Sequence, residues 1–194
     1  MHLNAAHKMI LLAIVAAMFV AGGAYMLYQG RPQNTVPQQV DTFPYMSDAY
    51  GITFDYPSTY TLTQSDVKDY ENPKNNHHAI TIIETKSLEA TPVNGEGPTS
   101  ITVNIYPNSA NEGVLSWVKN MSQSNFNLSA DKKTYDAQVG GTGAVAYTWD
   151  GLYLGNSFAL SHRGYIFVLS STYITPEDSI LGVFTEVLKS VQLR

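Results

Sequence analysis

Apolar and polar residues alternate along much of the chain after position 50, and this period of two predicts β-strands. Ile52, Phe54 and Tyr56 are separated by polar residues, and the run ends at Pro57. Such alternation places every second side chain on the same face of a strand, so that one face can be buried. Comparable apolar stretches predict further strands at residues 79–85, 101–106, 143–150, 152–161 and 165–172.

Turn residues join the last three of these strands into a predicted meander. Asp150-Gly151 is typical of tight hairpins, and His162-Arg163-Gly164 precedes the last strand. Residues 165–169 (YIFVL) are continuously apolar, which favours a central strand with both faces covered. The run Gly140-Gly141-Thr142-Gly143 lacks the lysine and the following helix of a phosphate-binding loop, so it predicts another turn.

Two segments follow a helical period instead. The first starts with Asn111 as a capping residue and extends to about Phe126, with apolar residues at Val114, Trp117, Val118 and Met121. The second follows Thr175-Pro176, a favourable helix start, and has an apolar stripe of Ile180, Phe184, Val187, Leu188 and Val191. The chain is therefore expected to form an α/β (α+β) domain with a mainly antiparallel sheet of about six strands and helices packed on it.

The N-terminal segment has neither period. From Met9 to Tyr28 it contains no charged residue, and a helix rising 1.5 Å per residue would span about 30 Å, the thickness of a bilayer's hydrocarbon core. This predicts a single membrane-spanning helix; a cleaved signal peptide is the alternative, although its apolar stretch is usually shorter. The N-side carries Lys8 and the terminal amine, whereas the C-side carries only Arg31 before Lys68, and this bias favours the N-terminus inside and the domain outside the cell membrane.

Residues 30–47 are rich in Pro, Gln and Asn and predict a linker that is extended by its prolines. The predicted organisation is thus a short tail at residues 1–8, a transmembrane anchor at 9–29, the linker at 30–47 and a globular domain at 48–194. No internal repeat is evident.

Charge and cysteine content exclude several classes of function. The formal charge is −5, and all 16 acidic residues lie at or after Asp41, which disfavours a nucleic-acid partner. The chain has no cysteine, so disulfides, thiolate metal sites, a cysteine nucleophile and a lipid-modified cysteine are excluded.

The run from Tyr50 to Pro57 (YGITFDYP) resembles the opening strand of PsbP-like domains. The later helix with Leu115 and Trp117-Val118, the aromatic meander and the final helix with Ser190-Val191 follow in the same order. The resemblance covers about residues 47–194. It implies an α-β-α sandwich used as an accessory or binding module, and it implies no catalytic mechanism. The photosynthetic members have a cleaved transit sequence, so the uncleaved anchor expected here argues against a photosynthetic role.

Histidines supply the most conspicuous candidate chemistry. His77 and His78 are adjacent, and neighbouring residues on a strand point to opposite faces, so they are poorly placed to hold one metal ion. His162 could in principle belong to a hydrolytic triad, but no nucleophile-elbow pattern accompanies it. No metal site, cofactor or catalytic residue is therefore predicted.

The thirteen tyrosines and two tryptophans favour a binding surface, because Tyr and Trp are enriched at interfaces. The candidate ligand or partner surface comprises Trp149, Tyr153 and His162. The sequence predicts a membrane-anchored, non-catalytic extracytoplasmic binding module, with another envelope protein as its partner. A small-ligand-binding domain is the alternative, and a hydrolase is less favoured.

Overall fold

A computed structural model describes residues 41–194 of the chain. The predicted membrane span from Met9 to Tyr28 and most of the predicted linker lie outside these residues. Among the helices that the structure describes, none is long and apolar enough to cross a bilayer.

Ten strands form two antiparallel sheets in this part of the chain. A small sheet has the order β1-β2-β10, and a large seven-stranded sheet has the order β3-β4-β5-β9-β8-β7-β6. The strands are β1 Thr42–Ser47, β2 Ile52–Pro57, β3 Tyr60–Val67, β4 His77–Glu84, β5 Ile101–Pro107, β6 Tyr135–Val139, β7 Thr142–Asp150, β8 Leu154–His162, β9 Tyr165–Tyr173 and β10 Gln192–Leu193.

Short helices connect the strands. The α-helices are α1 Thr85–Ala90, α2 Val114–Asn120 and α3 Ile180–Ser190, and short 3-10 helices occupy Pro73–Asn75, Ser122–Ser124 and Phe126–Leu128. The mixed α+β class with mainly antiparallel pairing is confirmed, because every strand pair in both sheets is antiparallel.

The large sheet has an inner face and an outer face. The inner face packs against the small sheet and α3, and buries one continuous apolar core that includes Ile80, Val103, Leu169 and Phe184. The outer face holds a smaller cluster in which Trp117 of α2 packs with aromatic and aliphatic residues of β5, β7, β8 and β9. The buried position of β9 agrees with its continuously apolar sequence.

The structure has more strands than the six expected from apolar alternation. β3 was not predicted, since its outer-face residues are polar and its pattern is weak. β1 lies within residues 30–47, so the domain begins before position 48. Pro44 is tolerated in β1 because this edge strand does not need a hydrogen bond from every N–H group.

Both helices begin later than their sequence signals suggest. Asn111 adopts a positive φ of 51° and does not cap α2, whose N-cap is Gly113. α3 starts at Ile180, because Asp178 accepts hydrogen bonds from the N–H groups of Ile174 and Thr175 and closes a turn there.

The predicted turns are present. Gly140-Gly141 and Arg163-Gly164 each connect two strands through a pair of residues with positive φ, the conformation of the tight hairpin turns that match strand twist. At Asp150 the loop is longer than two residues, because β8 starts at Leu154.

The strands define two ends of the domain. At the Asp41 end, the N–H of Ser58 donates to the carbonyl of Asp41 at 2.8 Å, and Tyr60 begins β3. At the opposite end, called the histidine end, β3 finishes, His77 begins β4 and the turn between β1 and β2 carries Tyr50.

Candidate functional site

The three residues of the predicted binding surface do not lie together. Trp149 of β7 pairs with Gly155 of β8, and Tyr153 lies in the loop that joins these strands, so both are at the Asp41 end. His162 is seven residues beyond Gly155 on β8, which is roughly 24 Å at about 3.4 Å per residue. The structure therefore joins Trp149 and Tyr153 in one region and places His162 at the histidine end.

Trp149 and Tyr153 are held by hydrogen bonds within the domain. The indole Nε1 of Trp149 donates to Ser157 Oγ at 2.9 Å, and that oxygen is 2.7 Å from Ser170 Oγ. The Tyr153 hydroxyl donates to the carbonyl of Gly97 at 2.7 Å. These contacts hold the Trp149 ring to β8 and the Tyr153 ring to the carbonyl of Gly97.

His162 is bound to the C-terminal residue. Its Nε2 lies 2.9 Å from the main-chain carbonyl oxygen of Arg194, and its ring centroid is 6.2 Å from that of Phe167. Its partner is therefore a main-chain carbonyl and not a serine hydroxyl or a carboxylate.

The histidine end gathers more functional groups than the predicted surface does. His77 and His78 point to opposite faces of β4, as the strand geometry predicts. The ring centroid of Tyr50 lies 5.1 Å from that of His78, in a tilted arrangement, and 5.3 Å from that of Tyr165. On the outer face, the ring centroid of Tyr106 lies 4.6 Å from that of His77 and 4.9 Å from that of Trp117.

His78 also belongs to a chain of polar contacts on the inner face. Its Nδ1 lies 2.8 Å from Asp66 Oδ1, and its Nε2 lies 3.3 Å from Gln64 Oε1. The hydroxyl of Tyr45 donates to the same Gln64 oxygen at 2.9 Å. The β3–β4 register sets this arrangement, because Asp66 and His78 are directly paired.

A cleft of about 300 Å³ opens beside His78. Tyr50 and Tyr165 form its aromatic wall, and Asp66 and Lys68 contribute charged groups. Burial raises the pKa of the Tyr50 hydroxyl, and the nearby Asp66 carboxylate raises it further. The Tyr50 phenol therefore stays protonated at neutral pH and can donate a hydrogen bond.

A second cleft, of about 350 Å³, lies on the outer face at the same end. Trp117 and Met121 provide apolar surface, and Lys74 and Glu112 provide opposite charges. The turn that forms part of this cleft is tied by Asn108, whose Oδ1 accepts from the N–H of Glu112 at 2.8 Å.

The loop between β3 and β4 connects the two clefts and is organised by Asp69. Its carboxylate accepts hydrogen bonds from the N–H groups of Glu71 and Asn72 and from Asn75 Nδ2. The bond from Asn72 N–H, followed by that from the Asn75 side chain, lowers the pKa of Asp69. Asn76 Oδ1 accepts from the Asp69 N–H at 2.7 Å, so both ends of the loop are closed before His77.

Within residues 41–194, no cluster of three or more His, Asp or Glu side chains is arranged to hold a metal ion. The groups at the histidine end are aromatic rings, imidazoles and amides with a few charges of both signs. Such groups suit the recognition of a surface or a small polar molecule.

Of the residues at this end, His77, His78 and His162 drew attention in the sequence. Tyr50, Asp66 and Tyr165 come from three separate strands or turns, and no local pattern connects them. Their proximity follows from the antiparallel register of β3, β4, β5 and β9 and from the small sheet packed on the inner face.

Comparison with known proteins gives matches at the level of structure alone. No family model and no curated protein matches the sequence. The solution structure of cyanobacterial PsbP (CyanoP) from Synechocystis sp. PCC 6803 matches with a TM-score of 0.52 and 12% identity, covering 80% of this chain and 94% of that one. LpqN, involved in cell envelope biogenesis of Mycobacterium tuberculosis, matches with a TM-score of 0.40 and 12% identity, over 80% of this chain and 91% of LpqN.

The match to cyanobacterial PsbP supports the resemblance noted in the sequence. It covers nearly the whole of that protein. At 12% identity the likeness concerns the fold and carries no residue's role across. The domain has a PsbP-like fold.

Proposed function

We propose that this protein is a non-catalytic, membrane-anchored binding module that recognises an envelope protein through the histidine end of its domain. The observation that carries this proposal is the pair of neighbouring clefts at that end, one lined by both adjacent histidines and two tyrosines, the other by Trp117 and Met121. A loop or edge of a partner protein could contact both clefts together across the β3–β4 loop.

The size and lining of the clefts favour a protein partner. Their volumes, about 300 and 350 Å³, are at the lower limit for sites that enclose small ligands. Tyr50, Tyr165, Trp117 and Met121 belong to residue types that are enriched at protein interfaces. Tyr70, which is 89% exposed, adds a large aromatic group on the loop that connects the clefts.

The direction in which the chain enters the domain is also compatible with this role. Asp41 lies at the end opposite to His77, so any segment upstream joins the domain away from both clefts.

The hydrogen bonding of the histidines supports a non-catalytic role. His77 Nδ1 is 2.8 Å from the carbonyl of Asn75, and His162 Nε2 faces the carbonyl of Arg194. His78 faces Asp66 and Gln64. In the part of the chain that the structure describes, no serine or threonine hydroxyl is hydrogen-bonded to an imidazole.

Crosslinking of the full-length protein in its native membrane, followed by mass spectrometry, tests this proposal. We expect one stoichiometric partner, with crosslinks from the β3–β4 loop, that is not recovered with a chain lacking the first 40 residues. Tyr70→Ser should reduce recovery of the partner at least fivefold. Leu152→Ser, which changes a side chain 71% exposed at the Asp41 end, should leave recovery unchanged.

The proposal fails if no protein is recovered, or if both variants retain the partner equally. A small polar ligand is the second candidate, favoured by the half-buried His78 and the Tyr50 hydroxyl beside one cleft. A compound that raises the melting temperature of wild type, with no effect on His78→Ala, would support it.

A further inference from the structure

The middle of the outer face of β3, β4 and β5 lies between two contacts with helices, that of Thr61 with Thr85 of α1 and that of Tyr106 with Trp117 of α2. Thr63 and Ser65 are exposed, and Thr81, Thr102 and Asn104 are half-buried. Their neighbours on the inner face, such as Ile80, Ile82 and Val103, are completely buried. In this middle part, the strands therefore have one side in the core and one side open. What we call the polar patch consists of Thr63, Ser65, Thr81, Thr102 and Asn104.

The polar patch is regular because the strand register aligns its residues. Thr63 pairs with Thr81, and Thr81 pairs with Thr102. Thr102 pairs in turn with Ser170 of β9, so hydroxyl side chains lie directly opposite one another across four strands. Adjacent strands are about 4.8 Å apart, and this distance sets the spacing between neighbouring hydroxyl side chains in the row.

The polar groups of the patch have no hydrogen-bond partner within residues 41–194. Other hydroxyls of the sheet are paired; Ser170 Oγ, for example, lies 2.7 Å from Ser157 Oγ. Each hydroxyl of the patch offers one donor and two acceptor positions, and the Asn104 amide offers both functions. A ligand with closely spaced hydroxyl groups could satisfy them.

The patch is also uncharged, although the chain as a whole is acidic. The outer-face positions of β3, β4 and β5 hold hydroxyl, amide, apolar and aromatic residues and a single imidazole, that of His77, with no Asp, Glu, Lys or Arg. Ala79 and Ile83 lie between the hydroxyls and give the surface small apolar areas. This balance complements a neutral molecule and would not attract a charged one.

An indole borders the same face farther along the sheet. The ring of Trp149 occupies the space above Gly155, where an added Cβ would lie 2.1 Å from indole Cε2. Gly155 pairs with Thr172 of β9, beside the row of hydroxyls. Half-buried aromatic rings offer an apolar surface to the carbon-bearing face of a sugar ring.

From this arrangement we propose that the polar patch, with Trp149 at its border, binds a neutral carbohydrate chain. Sugar rings carry both hydroxyl groups and apolar C–H faces, which correspond to the hydroxyls and to the methyl and indole groups of this surface. This site is separate from the clefts of the histidine end and does not depend on the function proposed for them.

Other occupants fit the patch less well. Protein interfaces are depleted in serine and enriched in aromatic residues, Met and Arg, whereas the centre of the patch consists of Thr, Ser and Asn. A membrane surface selects cationic and large apolar groups. The chain's own upstream segment enters through β1, in the sheet that covers the opposite face.

Titration of the full-length protein in a zwitterionic, sugar-free detergent tests the proposal. The probes are neutral hexasaccharides of glucose and of N-acetylglucosamine, with a hexasaccharide of uronic acid as the charged control. Calorimetry measures affinity, and threonine methyl NMR identifies the surface. We expect a neutral probe to bind and to shift the methyl signals of Thr63, Thr81 and Thr102.

Matched variants separate the hydroxyls from the fold. Thr81→Val with Thr102→Val removes two hydroxyls with little change of shape, and should weaken binding at least tenfold. Thr81→Ser should retain most of the affinity, and Thr148→Val, at an exposed strand position outside the patch, should retain all of it. The proposal is overturned if no neutral probe binds at millimolar concentration, if the charged probe binds as tightly, or if the paired valines leave the affinity unchanged.

Discussion

The imidazole Nδ1 of His78 lies 2.8 Å from Oδ1 of Asp66, a residue twelve positions earlier in the chain. The pair joins β3 to β4 at the histidine end and forms one side of the cleft lined by Tyr50 and Tyr165. The side chain of His78 is 16% exposed, whereas that of Asp66 is 74% exposed. This asymmetry determines how each residue should respond to substitution.

Asp66→Asn should lower the free energy of unfolding by less than about 1 kcal/mol, because polar contacts made by an exposed side chain contribute little. His78→Ala should cost more, about 1–2 kcal/mol, since it also removes the ring that contacts Tyr50. Urea unfolding at neutral pH measures both changes. Equal losses of unfolding free energy for the two variants would show that the ring contact with Tyr50 contributes nothing to stability.

Asp69 should make the β3–β4 loop sensitive to acid. Hydrogen bonds from Asn72 N–H and from the Asn75 side chain lower its pKa in the folded protein below the ordinary aspartate value of 3.8. Its contribution to stability is therefore fully present above pH 3.8 and is lost as the pH falls through the lower pKa of the folded state.

NMR titration of the Asp69 carboxyl should show the lowered pKa directly, and the amide signals of Glu71 and Asn72 should move with the same midpoint. Asp69→Asn should remove this part of the pH dependence while leaving that of Asp178 intact. Asp178 is a suitable comparison, because bonds from the N–H groups of Ile174 and Thr175 lower its pKa in another loop. An ordinary pKa for Asp69 would contradict the described loop geometry.

Gly155→Ala should displace Trp149, because the new Cβ would lie 2.1 Å from the indole. We expect a loss of about 1–3 kcal/mol in the free energy of unfolding, the usual cost of overpacking, and a shift of tryptophan fluorescence as the bond to Ser157 breaks. Gly182→Ala is the control, since a Cβ there meets no atom within 4 Å. Unchanged tryptophan fluorescence in Gly155→Ala would show that the Trp149 indole does not lie above Gly155.

Phe184 should be a main contributor to the attachment of α3. It is 3% exposed in the inner core, and its ring centroid is 5.9 Å from that of Phe158 on β8. Phe184→Ala should cost about 3–5 kcal/mol, as buried phenylalanine truncations do. Glu186→Ala, on the exposed side of the same helix, should change stability by about 0.5 kcal/mol or less, and denaturant unfolding compares the two.

The periodicity of the sequence was sufficient to predict the central strands, two of the helices and the meander. Ile101, Val103 and Ile105 alternate on β5 because one face of that strand is in the core, and YIFVL on β9 is apolar because that strand lies in the centre of the sheet. Burial of a face leaves a regular local pattern, and such patterns can be read from sequence alone. The edge strands β1, β3 and β6 and the two-residue β10 have weaker patterns, because edge strands bury less surface.

The candidate sites depend on relationships that no local pattern contains. Sequence alone placed His77 and His78 on opposite faces of a strand, since side-chain direction alternates along any strand. Only the tertiary structure brought Asp66 and Tyr165 to His78, separated Trp149 from His162, and aligned Thr63, Thr81 and Thr102 in one row. These relationships are determined by strand order and register, which result from the packing of the whole core and not from the neighbours of each residue along the chain.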